Sequence, residues 1–233
     1  MIFLLPGVPS EMKEIFARVV LPRLAKAVDG RSRSLRKVIR VFGLMETAVE
    51  GRISPVLGDD AMKDTSIISS PSGISVYLPE GTEDEIHEGV LKSLGDDVFG
   101  TGRVRLEEVV VRMLLERGLT LAAAESLTGG MISSMIVSVP GASGTFLEGF
   151  ITYSNESKVR ALGVDPRSIE DHGAVSEEVC RQMAEGARSK SGADIALSAT
   201  GIAGPDGGTD EKPVGLCWMG LAGAAGTNCR QRR

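Results

Sequence analysis

The chain is poor in the residues most often used for catalysis and metal binding: 233 residues carry two histidines and three cysteines. Cys180, Cys217 and Cys229 are odd in number and lack CxxC or Cys/His spacing, so they read as reduced thiols and no metal is expected. With His87 and His172 away from every predicted strand end, a Ser-His-Asp triad has no good candidate, His172 in EDHGAVS being the one remaining option. The nucleophile-elbow pattern GxSxG is missing, so a hydrolytic serine here needs another base. Basic excess is missing too. With 26 Lys and Arg against 31 Asp and Glu, net −5, there is no basic face to neutralise phosphates, and nucleic acid is not an expected partner. No apolar run approaches the roughly 20 residues of a membrane span. The opening MIFLLPGVPSEMKEIF has no basic leader and an apolar run too short for a signal peptide, which predicts a cytoplasmic protein without membrane contact.

The residues present suffice for one large domain or two modest ones with a real core. IFLL reads as a strand end, PGVPSE as a turn, and Ser10 as the cap of a helix. Met12, Ile15, Phe16, Val19 and Val20 share one face of that helix, until Pro22 kinks or ends it. This piece, residues 1–33, cannot bury its apolar face alone and reads as the tail of a larger domain. Residues 34–103 then read strand, helix METAVEGRISPVL, strand TSIISS, strand GISVYLP and helix TEDEIHEGVLKSLG, a small α+β unit closed by GDDVFGTG as a polar linker. Residues 104–233 open on an amphipathic helix with Leu106, Val109, Val110, Met113 and Leu114 on one face and Gly118 as its stop. Strands LTLAAAE, FLEGFITY, DIALSAT and GLCWMGLA follow, with helices near 130–137, 155–162 and 177–190 between the first three. The pattern predicts an α/β domain with a mainly parallel sheet covered by helices on both faces.

In such a sheet the carboxyl ends of the parallel strands share one rim, where ligands bind. The first strand ends on Glu125-Ser126-Leu127-Thr128-Gly129-Gly130, the second on Tyr153-Ser154-Asn155 with Lys158 one turn on, and the third on Thr200 and the loop GIAGPDGG. Gly129 and Gly130 let backbone approach a ligand and lead into a helix start, a generic anion or oxyanion cradle, since neither GxxxxGK[ST] nor GxGxxG is present. The plainer alternative is that Ser126 or Thr128 caps the helix. Lys158 is either a solvated charge or the base for a serine, a known pairing where histidine is lacking. The second role requires giving up a proton that free lysine holds to about pH 10.4, which takes roughly 4 kcal/mol of disfavoured charge. Burial or a helix N-terminus can supply it.

AESLTGG, YSNESKVRALGV, HGAVSEEV and ATGIAGPDGGTDEKPVG, in that order, resemble the C-terminal domain of the CinA family, the nicotinamide-nucleotide amidases. The likeness covers about residues 104–222. LLPGVPSEMKEIF is similar to the end of the molybdopterin-binding-like domain of longer family members, and 34–103 to their KH-like middle domain. The resemblance implies hydrolysis of the carboxamide of nicotinamide mononucleotide to nicotinate mononucleotide and ammonia, by a homodimer without a cofactor. It implies that Ser126 is the nucleophile, that Lys158 is its base, that Thr200 orients Lys158 or passes the proton, and that Tyr153 packs on the pyridine ring. Thr128, Gly129 and Gly130 would hold the oxyanion. Asn155, Gly201, Gly204, Gly207, Gly208 and Lys212 would serve the rest of the substrate, with Lys212 either at the phosphate or a solvated loop charge. Three departures stand out: most of the N-terminal domain is lacking, GLME replaces a GxxG loop, and GAAGTNCRQRR differs from an expected strand, arginine-bearing segment and terminal helix. A catalytically silent nucleotide- or protein-binding module, or a serine hydrolase of another amide or ester, are the competing readings.

Overall fold

The computed structural model describes residues 2–27, 36–70 and 72–232. IFLL is not a strand: no described strand pairs with it, and Ile2 and Leu4 are almost fully exposed. The first helical stretch comprises α1 (Pro9–Ile15), a π-helical turn (Phe16–Val20) and α2 (Leu21–Ala27). Its N-cap is Val8 rather than Ser10, with Pro9 in the first turn, where a missing N–H costs nothing. Pro22 does not end the helix. The wider π turn precedes it, so the proline ring falls in the opening turn of α2.

The next unit runs β1 (Val38–Val41), α3 (Glu46–Asp64), β2 (Ser66–Ser70), β3 (Gly73–Tyr77), α4 (Asp84–Leu94) and β4 (Val98–Thr101). The sheet order is β2-β3-β1-β4, antiparallel throughout, the order of a split β-α-β-β-α-β sandwich. The segment expected to be a linker is therefore β4, paired to β1 through Ile39↔Thr101 and Val41↔Val98. Its glycines hid it, because they read as loop while Gly100 lets the Val104 side chain lie on the strand. Ile39, Val41, Ile53, Val76, Leu78 and Val90 form the core between this sheet and its two helices.

The remaining elements are α5 (Leu106–Arg117), β5 (Leu121–Glu125), α6 (Met131–Val137), β6 (Phe146–Ile151), α7 (Asn155–Ser157) running into a π turn (Lys158–Leu162), α8 (Pro166–His172), α9 (Glu177–Ser191), β7 (Ile195–Gly201), β8 (Cys217–Gly223) and β9 (Gly226–Arg232). The sheet order is β6-β5-β7-β8-β9. β5 is parallel to both neighbours, but β8 and β9 are antiparallel, so the sheet is mixed rather than mainly parallel. The reason is the connection 202–216, which returns the chain as a loop with no crossover helix. GAAGTNCRQRR supplies β9 through a tight hairpin, with Gly223 opposite Gly226.

Both faces of β5 are covered, which is why all five of its residues are buried. Ala122, Ala124 and Ala196 meet Val179, Met183 and Ala187 of α9 on one face. Leu121 meets Val111 and Leu114 of α5 and Ile136 of α6 on the other. Val111, not Met113, belongs to the buried face of α5. In α9, Ser176 caps the first turn by accepting from the Val179 N–H, and Gly192 closes the helix in left-handed backbone.

Candidate active site

The ladder positions the three strand ends against one another. Beyond the paired residues Glu125↔Ile151 and Glu125↔Ala199, the Ser126 N–H donates to the Ala199 carbonyl at 2.9 Å and the Thr152 N–H to the Glu125 carbonyl at 2.8 Å. Ser126 thus leaves the sheet between the ends of β6 and β7.

Lys158 opens the π turn that follows β6 and is 1% exposed, the largest fully buried side chain among the described residues. Its Nζ lies 3.0 Å from Ser126 Oγ, 2.9 Å from the Thr152 carbonyl oxygen and 3.2 Å from that of Tyr153. No carboxylate pairs with it among the described residues. Burial alone therefore acts on the amine and lowers its pKa from the ordinary lysine value. Nζ can donate to all three oxygens as an ammonium; once deprotonated, it donates to the two carbonyls and accepts from the serine hydroxyl.

The π turn is held in place by α9. At Gly186 an added Cβ would run into the Leu162 carbonyl oxygen, so only glycine lets α9 come this close to the turn that carries Lys158.

Glu125 is also 1% exposed. One carboxylate oxygen accepts from the Ile132 N–H at 2.9 Å, the other from the Ser133 N–H at 2.7 Å and the Ser133 hydroxyl at 2.5 Å. Burial pushes its pKa up, but the Ser133 hydroxyl, the neighbouring Thr128 hydroxyl and the Ser133 and Ile132 N–H groups outweigh that and hold the carboxyl below its ordinary range. The start of α6 is thus filled by an internal anion and is not an open cradle. In the turn itself Gly129 N–H is bonded to the Ser126 carbonyl. The N–H groups of Leu127, Thr128 and Gly130 make no hydrogen bond among the described residues. A shallow, open depression adjoins this turn, lined by Thr128, Gly129, Gly130 and Met131 together with Arg105 and Ser134; Ser126 and Lys158 do not line it.

The other expected site residues divide. Tyr153 gives its carbonyl to Lys158 while its ring stands 72% exposed at the rim, and Asn155 is exposed beside it. Thr200, buried, donates to the Ala174 carbonyl at 2.9 Å, which ties β7 to the loop after α8, and makes no direct hydrogen bond to Lys158. An added Cβ on Gly201 would meet Leu127 and the Leu216 carbonyl, while those on Gly204 and Gly208 would meet Val214. These three glycines permit the loop's own packing. At Gly207, φ +88°, the place a Cβ would take is clear of the described residues. Lys212 Nζ donates to the His172 carbonyl at 2.6 Å, which pins the loop to the end of α8.

Residues 103–233 match the family model described as the CinA C-terminal domain. The chain belongs to the CinA family. It is 45% identical over 230 residues to a CinA-like protein of Chlorobaculum tepidum, covering 94% of this chain and 54% of that one. The chain thus spans about half the length of the curated relatives it matches. Among solved structures it is similar to the competence/damage inducible protein CihA of Agrobacterium tumefaciens, at 38% identity and TM-score 0.52, covering 55% of this chain and 76% of that one. A CinA superfamily protein of Escherichia coli matches at 31% identity and TM-score 0.53, over 55% and 74% of the two chains. No described helix is long and apolar enough to cross a membrane.

Sequence reasoning missed three contributors to this candidate site: Thr152, Gly186 and the carboxylate of Glu125. Thr152 acts through its carbonyl, which no side-chain pattern reveals, and Tyr153, expected for its ring, also serves Lys158 through its carbonyl. Gly186 lies inside a helix, where it reads only as a weak helix former. The signal for Glu125 was available: an acid ending an apolar strand, with a serine at the third position of the next helix, resembles a capping pair.

Proposed function

We propose that this chain is an amidohydrolase that converts nicotinamide mononucleotide to nicotinate mononucleotide and ammonia. The observation that carries the proposal is the buried Lys158 amine 3.0 Å from Ser126 Oγ, with two carbonyls and, among the described residues, no carboxylate as its other partners. Ser126 Oγ attacks the carboxamide carbon while Lys158 takes the hydroxyl proton. The unbonded N–H groups of Leu127, Thr128 and Gly130 are available for the oxyanion, where one donor typically contributes about 2.7–4 kcal/mol to the barrier. Collapse of the tetrahedral adduct breaks the C–N bond, and the leaving amine takes the proton from Lys158 and departs as ammonia. Water then attacks the ester, giving up a proton to Lys158, and the Ser126 oxygen recovers it as the carboxylic acid leaves and releases its remaining proton to solvent.

Tyr153, exposed at the rim, stacks on the pyridine ring, and loop 202–216 with Gly207 and Lys212 closes over ribose and phosphate. Lys212 retains two N–H bonds for an anion after serving the His172 carbonyl. Ammonia release from nicotinamide mononucleotide, with Ser126→Ala as control, tests this reading. Wild-type turnover abolished by the substitution supports it. If both proteins are equally inert while the mononucleotide still binds, the chain is a binding module.

A further inference from the structure

We propose that Glu125 is a positioning residue that sets the geometry of the serine turn. This rests on the reading of Ser126 as a nucleophile. Glu125 is the last paired residue of the central parallel strand, held on both sides by β6 and β7. Its carboxylate reaches over the turn to Ile132 and Ser133 in the first turn of α6. The intervening segment, Ser126 to Met131, therefore has both ends anchored to one side chain, and it contains Ser126 and all three unbonded N–H groups. α6 has only seven residues, and within it Met131, Met135 and Val137 are exposed. A helix so short and so thinly packed gets much of its placement from this carboxylate. No lysine or arginine pairs with Glu125 among the described residues, so its donors are the turn's own frame.

Glu125→Gln keeps the shape but sets an NH2 group against an N–H donor. Ser133→Ala removes the hydroxyl and leaves the backbone bonds, and Ser133→Thr restores it. The assays on the full chain are the labelling rate of Ser126 by a fluorophosphonate, which needs no natural substrate, and kcat and KM for nicotinamide mononucleotide. A displacement on the order of 1 Å at a nucleophile costs about 100-fold. The expected result is a drop of that order in labelling and kcat for Glu125→Gln, about tenfold for Ser133→Ala, recovery in Ser133→Thr, and KM within threefold throughout. Labelling at the wild-type rate in Glu125→Gln and Ser133→Ala overturns the proposal. So does a loss that only follows the folded fraction seen by circular dichroism. If Glu125→Gln does not fold, Ser133→Ala and Ser133→Thr decide alone. Wild type that labels but releases no ammonia contradicts the substrate assignment and leaves the Glu125 comparison standing. Wild type that does not label at all overturns both.

Discussion

Gly186→Ala should destabilise the protein and disarm its serine, although a glycine-to-alanine change inside a helix ordinarily stabilises by about 1 kcal/mol. The new Cβ would penetrate the Leu162 carbonyl oxygen and lie 2.9 Å from its carbon and 3.0 Å from the Leu162 Cβ. Carbon contacts rest at about 3.5–4.0 Å and the carbonyl oxygen lies closer than either carbon, so helix and π turn must part by on the order of 1 Å or slightly more. α9 is fixed by Val179, Met183 and Ala187 against the sheet, which leaves the turn that begins at Lys158 to move. Overpacking of this kind costs roughly 1–3 kcal/mol, giving a net loss of about 1 kcal/mol after the helix gain. For a chain of this size that lowers Tm by about 2–4 °C. The same shift carries Nζ away from Ser126 Oγ and reduces kcat by up to about 100-fold. Calorimetry and fluorophosphonate labelling read the two effects. A higher Tm with unchanged labelling would refute the reasoning.

Lys158→Met should abolish turnover, and the stability difference from wild type should change with pH. Below the lowered pKa of the folded amine, burying it costs stability in full. The cost fades between that value and the ordinary 10.5 of the unfolded chain, where the unfolded state holds the extra proton, and is gone above it. Wild type therefore gains on the variant as pH rises through this window, and a flat difference in urea melts contradicts the assignment. Tyr153→Ala should raise KM while changing kcat less than tenfold, because Lys158 is held by the backbone oxygen and not by the ring. Thr200→Val should cost about 1 kcal/mol of stability through the bond to Ala174, with kcat preserved within tenfold. A proton-relay role would show instead as a kcat loss of about 100-fold or more. Lys212→Met should raise KM for the mononucleotide and leave KM for free nicotinamide unchanged, and equal effects on both would remove Lys212 from the phosphate.

Much of the site was legible because strand ends are marked by chemistry: Ser126 and Lys158 stand where apolar runs stop, and parallel pairing of β5 with both neighbours brings those stops to one rim. The alternation of strands and helices likewise gave the α/β class. What escaped the sequence depends on tertiary contact. Gly100 is compatible with β4 only because Val104 lies over it, and Pro22 only because a π turn precedes it. Whether β8 returns parallel or antiparallel was undecidable from a glycine-rich loop without helical period. Thr200 was correctly placed at the rim, yet its hydroxyl partner is a carbonyl 26 residues away in sequence, beyond any local pattern.

The central claim is that the Lys158 amine is uncharged at the pH where Ser126 reacts. A 13Cε NMR titration of the lysines, with Lys158 identified by the signal lost in Lys158→Met, measures this directly. The account predicts that Lys158 titrates well below the other lysines and in step with the pH dependence of Ser126 labelling. A Lys158 signal titrating with the rest, near pH 10.4, would contradict it.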